Sequence, residues 1–227
     1  MMNSLPSVST GVVIAVLCAI NWIAAYKQQM KLYYITKPMV LIAMMVFFAL
    51  NGGFAEKRIA FFVGLALSLL GDIFLISRRT RFFVSGMVAF ALAHMAYIYG
   101  FLQWPVPVWS YGIAVLALVI CVLAFSLYMD LKCKESSLRC VLKRLFKVYS
   151  FLVSAMAVFA WLGFFREDWQ LLPTLLAGIG ASLFVLSDLM IALGKLEKQI
   201  PHQRFWVIVT YHVAQMLILT SIVMIKG

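Results

Sequence analysis

The chain has 227 residues, 65% of them hydrophobic and only 12% charged, and a mean hydropathy of +1.01. Soluble domains are nearer half apolar and a quarter charged, so a water-soluble globule is excluded. Thirteen Gly and six Pro are too few for a fibrous or low-complexity chain, and at about 20 residues per crossing helix the length allows seven to nine crossings.

Apolar runs fall at about 8–26, 34–50, 59–77, 82–102, 107–129, 145–165, 171–193 and 203–225. Lipid offers no partner to a backbone N–H or C=O, so runs of this length read as helices rather than barrel strands. The expected fold is all-α: a polytopic membrane protein of about eight transmembrane helices forming a single integral membrane domain over 1–227. The first run has no basic residue before it, which argues for a true span rather than a cleaved signal peptide. The second run is short and carries Lys37-Pro38 near its expected start, where a missing N–H costs little. Trp104, Trp109, Trp169 and Trp206 stand near expected span ends, where amphipathic rings favour the headgroup level.

The net charge of +11 is distributed as a topology signal rather than as a nucleic-acid footprint. Fifteen Lys and Arg fall on the loops after spans one, three, five and seven, against four (Lys57, Arg58, Arg166 and Lys226) on the other side. Basic loops stay cytoplasmic, so both termini are expected on the non-cytoplasmic side, with the inner loops touching anionic membrane lipid. Of the sizeable basic loop, 130–144 with its continuation to 147, Leu131, Leu138, Leu142 and Leu145 recur near helical spacing. The segment reads equally as a helix lying on an anionic leaflet or as a solvated linker. Cys18 and Cys121 lie within apolar runs, and Cys133 and Cys140 share the basic loop without C-x-x-C spacing, so neither a disulfide framework nor a zinc site is supported.

Span three ends Ser68-Leu69-Leu70-Gly71-Asp72, and span seven carries Phe184-Val185-Leu186-Ser187-Asp188. Each is followed by a basic loop and then by a helix holding Ala93-His94-Met95 or Ala214-Gln215-Met216. The pattern suggests a 4+4 duplication with parallel halves.

Ionisable groups inside spans are costly and point to function. Asp72 and Asp188 each lie about five residues before the inner end of their span, roughly 8 Å deep at 1.5 Å per residue. The alternative for each is a helix-packing role, paired with Lys37 or a histidine. Asn21, Lys37, Tyr149, Ser187, Tyr211, His212 and Gln215 stand near the same depth. His94 and Tyr97 are deeper in span four, and His94 is expected too deep to reach either Asp. Together these residues outline a polar pocket opening toward the cytoplasmic leaflet. No H-x-x-x-H or comparable ligand pairing occurs, so neither a metal nor another cofactor is expected. The absence of G-x-S-x-G argues against an acyl-enzyme esterase.

At these residues the chain resembles the YhhN-type membrane family, which includes the lysoplasmalogenases. The matching pieces are Lys37-Pro38, Ser68 to Asp72, Gly86 to Phe90, Ala93-His94 to Tyr97, Ser187-Asp188 with Ala192, and Tyr211 with Ala214-Gln215. The resemblance implies an integral membrane enzyme, in a bacterial inner membrane, that hydrolyses the vinyl ether of a lysophospholipid to a fatty aldehyde and a glycerophospho-alcohol. It also implies Asp72 and Asp188 as catalytic residues. Tyr211-His212 stands where two aromatics are expected, which weakens the case for His212.

The chemistry is consistent with a carboxyl pair. Vinyl-ether cleavage needs an acid to protonate carbon and a second group to stabilise the cation or activate water, and two carboxyls in unequal environments can divide those tasks. Asp188 is favoured as the acid and Asp72 as stabiliser or base, with Lys37 and the basic loops holding the phosphate. The rival reading is a small transporter or proton-coupled carrier using the same carboxylates. A homodimer is compatible with the sequence, although nothing in it argues for one.

Overall fold

The computed structural model describes residues 4–77, 79–132, 137–196 and 200–225. Among them the regular structure is entirely helical: α1 (Ser4–Tyr26), α2 (Met30–Leu50), α3 (Ile59–Ile76), α4 (Thr80–Leu102), α5 (Val108–Lys132), α6 (Ser137–Trp161), α7 (Leu171–Leu196) and α8 (Gln203–Met224). A short 3-10 turn, Leu162–Phe165, follows α6. All eight helices are long and apolar enough to cross a membrane. This is an all-α integral membrane protein.

The helices differ from the expected spans where the polar surroundings hid their ends. α2 begins at Met30, so Pro38 lies inside the helix rather than near its start. There it removes one intrahelical hydrogen bond. The basic segment resolves as neither a separate surface helix nor a long linker. α5 continues to Lys132 and α6 starts at Ser137. The side chains of Leu131, Leu138 and Leu142 lie outside the described residues, and Leu145 is exposed on α6. Asp130 on α5 meets Lys143 and Lys147 on α6 at 2.8 and 2.9 Å, and these ammonium groups hold its carboxyl below the usual carboxylate range.

Within each half successive helices pack as neighbours, and α4 packs on α6, α1 on α8 and α2 on α8 across the halves. Close approach is built in at two glycines, Gly71 next to Asp72 and Gly180 where α7 meets α8. A Cβ on Gly71 would come within 2.7 Å of the Phe90 ring, and one on Gly180 within 2.9 Å of the Ala214 carbonyl oxygen. α5 stands apart, packing mainly on α6 and the 3-10 turn. Only 11% of its span is buried, against 28–50% for the other helices.

The end of the bundle away from the basic loops is tied by two arginines. Arg58 donates to the Asn51 carbonyl at the end of α2 (3.0 Å) and to the Ile225 carbonyl at the end of α8 (2.6 Å). Arg166 donates to Phe101 and Trp104 at the end of α4 (3.1 and 3.2 Å) and to Phe159 in the last turn of α6 (2.9 Å). Helix C-termini carry unsatisfied carbonyls and partial negative charge, so a guanidinium there answers both. Each arginine precedes the third helix of its half, and each joins the second helix of that half to the fourth helix of the other. The contacts therefore follow the 4+4 correspondence of the sequence.

Trp104 and Trp169 differ from the expected headgroup belt. Both are buried, with the Arg166 guanidinium 4.5 Å from the Trp169 ring and the two indoles 5.6 Å apart. Trp109 and Trp206 are exposed. Burial pushes the Arg166 guanidinium down to about 10, so it is still charged at neutral pH. Arg166→Met strands three carbonyls and is expected to cost roughly 2–4 kcal/mol, read as a lower thermal unfolding midpoint in detergent or nanodiscs. Arg166→Lys should recover only part, because an ammonium cannot reproduce the planar fork.

Candidate active site

Asp72 is 1% exposed and lies one turn before the end of α3. Its Oδ1 is 2.8 Å from Lys37 Nζ, which the early start of α2 places inside the bundle. The ammonium expected to hold a phosphate is thus turned onto a carboxylate. The Tyr211 hydroxyl from α8 lies beside the same carboxylate and beside Gln215. Gln215 in turn accepts a 2.7 Å hydrogen bond from Tyr97 on α4. This first cluster draws on α2, α3, α4 and α8.

Asp188 is different. The Tyr149 hydroxyl of α6 donates to its Oδ2 at 2.6 Å, and His94 Nε2 of α4 lies 3.3 Å from that oxygen and 2.9 Å from the Tyr149 hydroxyl. His94 Nδ1 faces Met156 Sδ at 3.3 Å, and its ring packs on Phe184 at 4.8 Å. His94 therefore does reach Asp188, contrary to the expectation from depth. Side chains lean toward their own helix N-terminus. α4 starts at the basic end whereas α7 finishes there, so His94 and Asp188 lean toward one another and close several residues of axial offset. α7 also runs to Leu196, which leaves Asp188 eight residues from its end rather than five.

The two carboxylates do not share one open chamber. Phe90, Phe184 and Tyr211 pack edge to face between the clusters, at 5.3 to 6.4 Å. Asp188 remains within electrostatic reach of Asp72. The Asp188 side chain is 10% exposed and lines a cavity of about 20 Å³ with Tyr149, Phe83, Met87, Phe90 and Phe146. That volume holds about one water.

The remaining candidates sit around these clusters. Asn21 ties α1 to α2 by donating to the Tyr33 carbonyl (2.9 Å) and to Thr36 Oγ1 (2.7 Å). Ser187 donates to the Val207 carbonyl on α8 at 3.1 Å. His212 Nδ1 accepts from Trp22 Nε1 at 3.2 Å. Asn21 Oδ1 and His212 Nε2 are buried with no hydrogen-bond partner among the described residues. Among those residues no three His, Cys, Asp or Glu side chains gather as a metal site. Sequence reading missed Thr36, Trp22, Met156 and the aromatic partition. One signal was available: Phe90 and Phe184 precede His94 and Asp188 by four residues, which stacks each ring on the same helix face as its polar partner.

The YhhN family model matches residues 32–222, which contain both clusters entire. The chain belongs to the YhhN family. Proteins named Lysoplasmalogenase TMEM86A from Homo sapiens and Bos taurus are 36% and 35% identical over 164 residues, 71% of this chain and 64% of their own length. Human Lysoplasmalogenase TMEM86B is 32% identical over 160 residues, 69% of this chain and 60% of its own length. The chain thus spans under two thirds of the length of these relatives. No solved structure matches it.

In this YhhN protein the Lys37–Asp72 pair is buried on both sides, so removing one partner strands a charge. Lys37→Met or Asp72→Leu alone should cost roughly 3–5 kcal/mol, and the double substitution should recover most of the loss. Thermal unfolding of the three variants in one detergent checks this. Equal losses in the single and double variants exclude a coupled pair.

Proposed function

We propose that the protein is a membrane hydrolase that cleaves the vinyl ether of lysoplasmalogen, releasing a fatty aldehyde and glycerophosphoethanolamine or glycerophosphocholine. The relatives' names support the substrate class. The observation that carries the site is Asp188, a span-embedded carboxylate with a hydroxyl and an imidazole on one oxygen and a cavity beside it.

The chemistry follows from that arrangement. Tyr149 and His94 occupy Oδ2, which leaves Oδ1 of a protonated Asp188 for the substrate. Its proton passes to the alkenyl carbon remote from oxygen, and the electron pair of the double bond forms the new C–H bond. The oxocarbenium ion is stabilised by the aspartate it leaves behind and captured by water, whose proton returns to Asp188. The hemiacetal then collapses: Asp188 protonates the departing glycerol oxygen as the C–O bond breaks and takes back the hemiacetal's hydroxyl proton, yielding the aldehyde. One water is consumed and the acid is regenerated.

Asp72, paired with Lys37, serves as the second carboxylate behind the partition, reached through Tyr211. Gln215, Tyr97, His212, Asn21 and Ser187 hold the surrounding helices in register. With the basic loops cytoplasmic, the Asp188 cavity lies toward the inner leaflet of a plasma membrane, near the depth of a lysolipid's sn-1 linkage. Anionic lipid would meet Lys143, Lys147 and Arg144 there.

Asp188→Asn should reduce aldehyde release from lysoplasmalogen by at least about a hundredfold with thermal stability within reach of the parent. Tyr149→Phe should lose roughly tenfold to a hundredfold through misorientation of Oδ2. Asp72→Asn is expected to abolish turnover as well. Aldehyde release by purified protein, measured beside unfolding midpoints, decides each case, and full turnover in a variant removes that residue from the mechanism. Lysolipid uptake into sealed vesicles without aldehyde would favour the carrier reading.

A further inference from the structure

A second cavity, of about 520 Å³, opens between α5, α6 and α7. We infer that it seats the aliphatic chain of the substrate whose vinyl ether lies at Asp188, and that its far end sets the longest chain accepted. This rests on the proposed hydrolysis and adds to it a chain-binding groove and a length limit.

Small side chains create the space. Ala114, Ala117 and Ala157 line it, and the two serines present, Ser154 and Ser182, are spent on packing scale rather than charge. Ser182 donates to the Gly178 carbonyl at 2.8 Å and accepts from Trp161 Nε1 at 3.1 Å. The lining has no ionisable acid or base other than the Cys121 thiol, so it suits hydrocarbon and not a phosphate. Its volume falls in the range of small-ligand sites.

Position commits the occupant. Val185, in the groove lining, lies one turn from Asp188 on α7. Phe125 also lines the groove and packs with Phe83 and Phe146, which wall the Asp188 cavity. Phe125 thus touches the wall of the Asp188 cavity while lining the groove, so the two spaces adjoin. At the other end Phe165 closes against Trp109 at 5.0 Å, and Trp161 stacks on Phe164 at 5.8 Å. The loose seating of α5 lets the groove admit a chain sideways from the bilayer.

Two measurements test this. Aldehyde release is compared for short-chain and long-chain lysoplasmalogens in the parent, Ala157→Leu and Ala157→Phe. Filling the groove midway should lower kcat/KM for long chains by at least about tenfold relative to short ones. An equal loss at every chain length in folded variants overturns the inference while leaving the hydrolysis intact. Separately, a variant retaining Cys121 as its sole cysteine is labelled with an apolar maleimide. A non-hydrolysable saturated 1-alkyl lysophospholipid should slow labelling several-fold, and glycerophosphoethanolamine should not. This readout needs no turnover, so it stands even if no aldehyde forms. Labelling indifferent to the lysolipid, or Cys121 cross-linking to a second copy in its place, overturns the groove as a chain site.

Discussion

A charge inside a helical bundle in lipid has no water to solvate it and must be answered by the protein itself. In this molecule the answer is the 2.8 Å contact between Lys37 and Asp72, and much of the fold arranges itself around that contact. α2 must start early enough to carry Lys37 inside. α3 must keep Gly71 beside Asp72 so that α4 can press its Phe90 ring close. α8 brings Tyr211 to the same carboxylate. Tyr97 and Gln215 then join α4 to α8 by a hydrogen bond that is itself fully buried. One ion pair thus sets the register of four helices.

The second half repeats the plan with different chemistry. Tyr149 on α6 faces Asp188 as Lys37 on α2 faces Asp72, and Arg166 clamps helix ends as Arg58 does. The substitution of a hydroxyl for an ammonium is the decisive difference. A hydroxyl holds one carboxyl oxygen by a directed hydrogen bond, whereas an ammonium pairs with the carboxylate as an opposite charge.

The eight helices were legible because hydropathy over a span-length window is the strongest signal a membrane sequence carries. Asp72 and Asp188 were legible for the converse reason, that each interrupts such a window. What escaped depends on relations between helices. His94 looked too deep until the opposed lean of side chains on antiparallel α4 and α7 brought it to Asp188. Lys37 looked like a phosphate ligand because the start of α2 is polar enough (Lys31, Tyr33, Tyr34) to pass for a loop. Trp104 and Trp169 read as headgroup anchors, since nothing local announces that Arg166 will be drawn in against the Trp169 ring and the Trp104 carbonyl. The same carbonyl-rich helix ends that attract Arg166 are invisible in a hydropathy plot.

The distribution of rigidity follows from these contacts. Two guanidiniums fasten the helix ends away from the basic loops, and the Lys37 pair joins α2 to α3 in the interior. Among its described residues α5 carries no buried charge and no arginine clamp, and little of its span is buried. Its firm polar attachment is the Asp130 bridge to Lys143 and Lys147, at one end and exposed, where an ion pair contributes little. The proposed hydrolysis requires a bundle that receives a lipid sideways, which one yielding helix allows while the rest hold still. The polar contacts at Asp188 come from α4, α6 and α7, and α5 meets that site through Phe125, packed on the Phe83 and Phe146 wall.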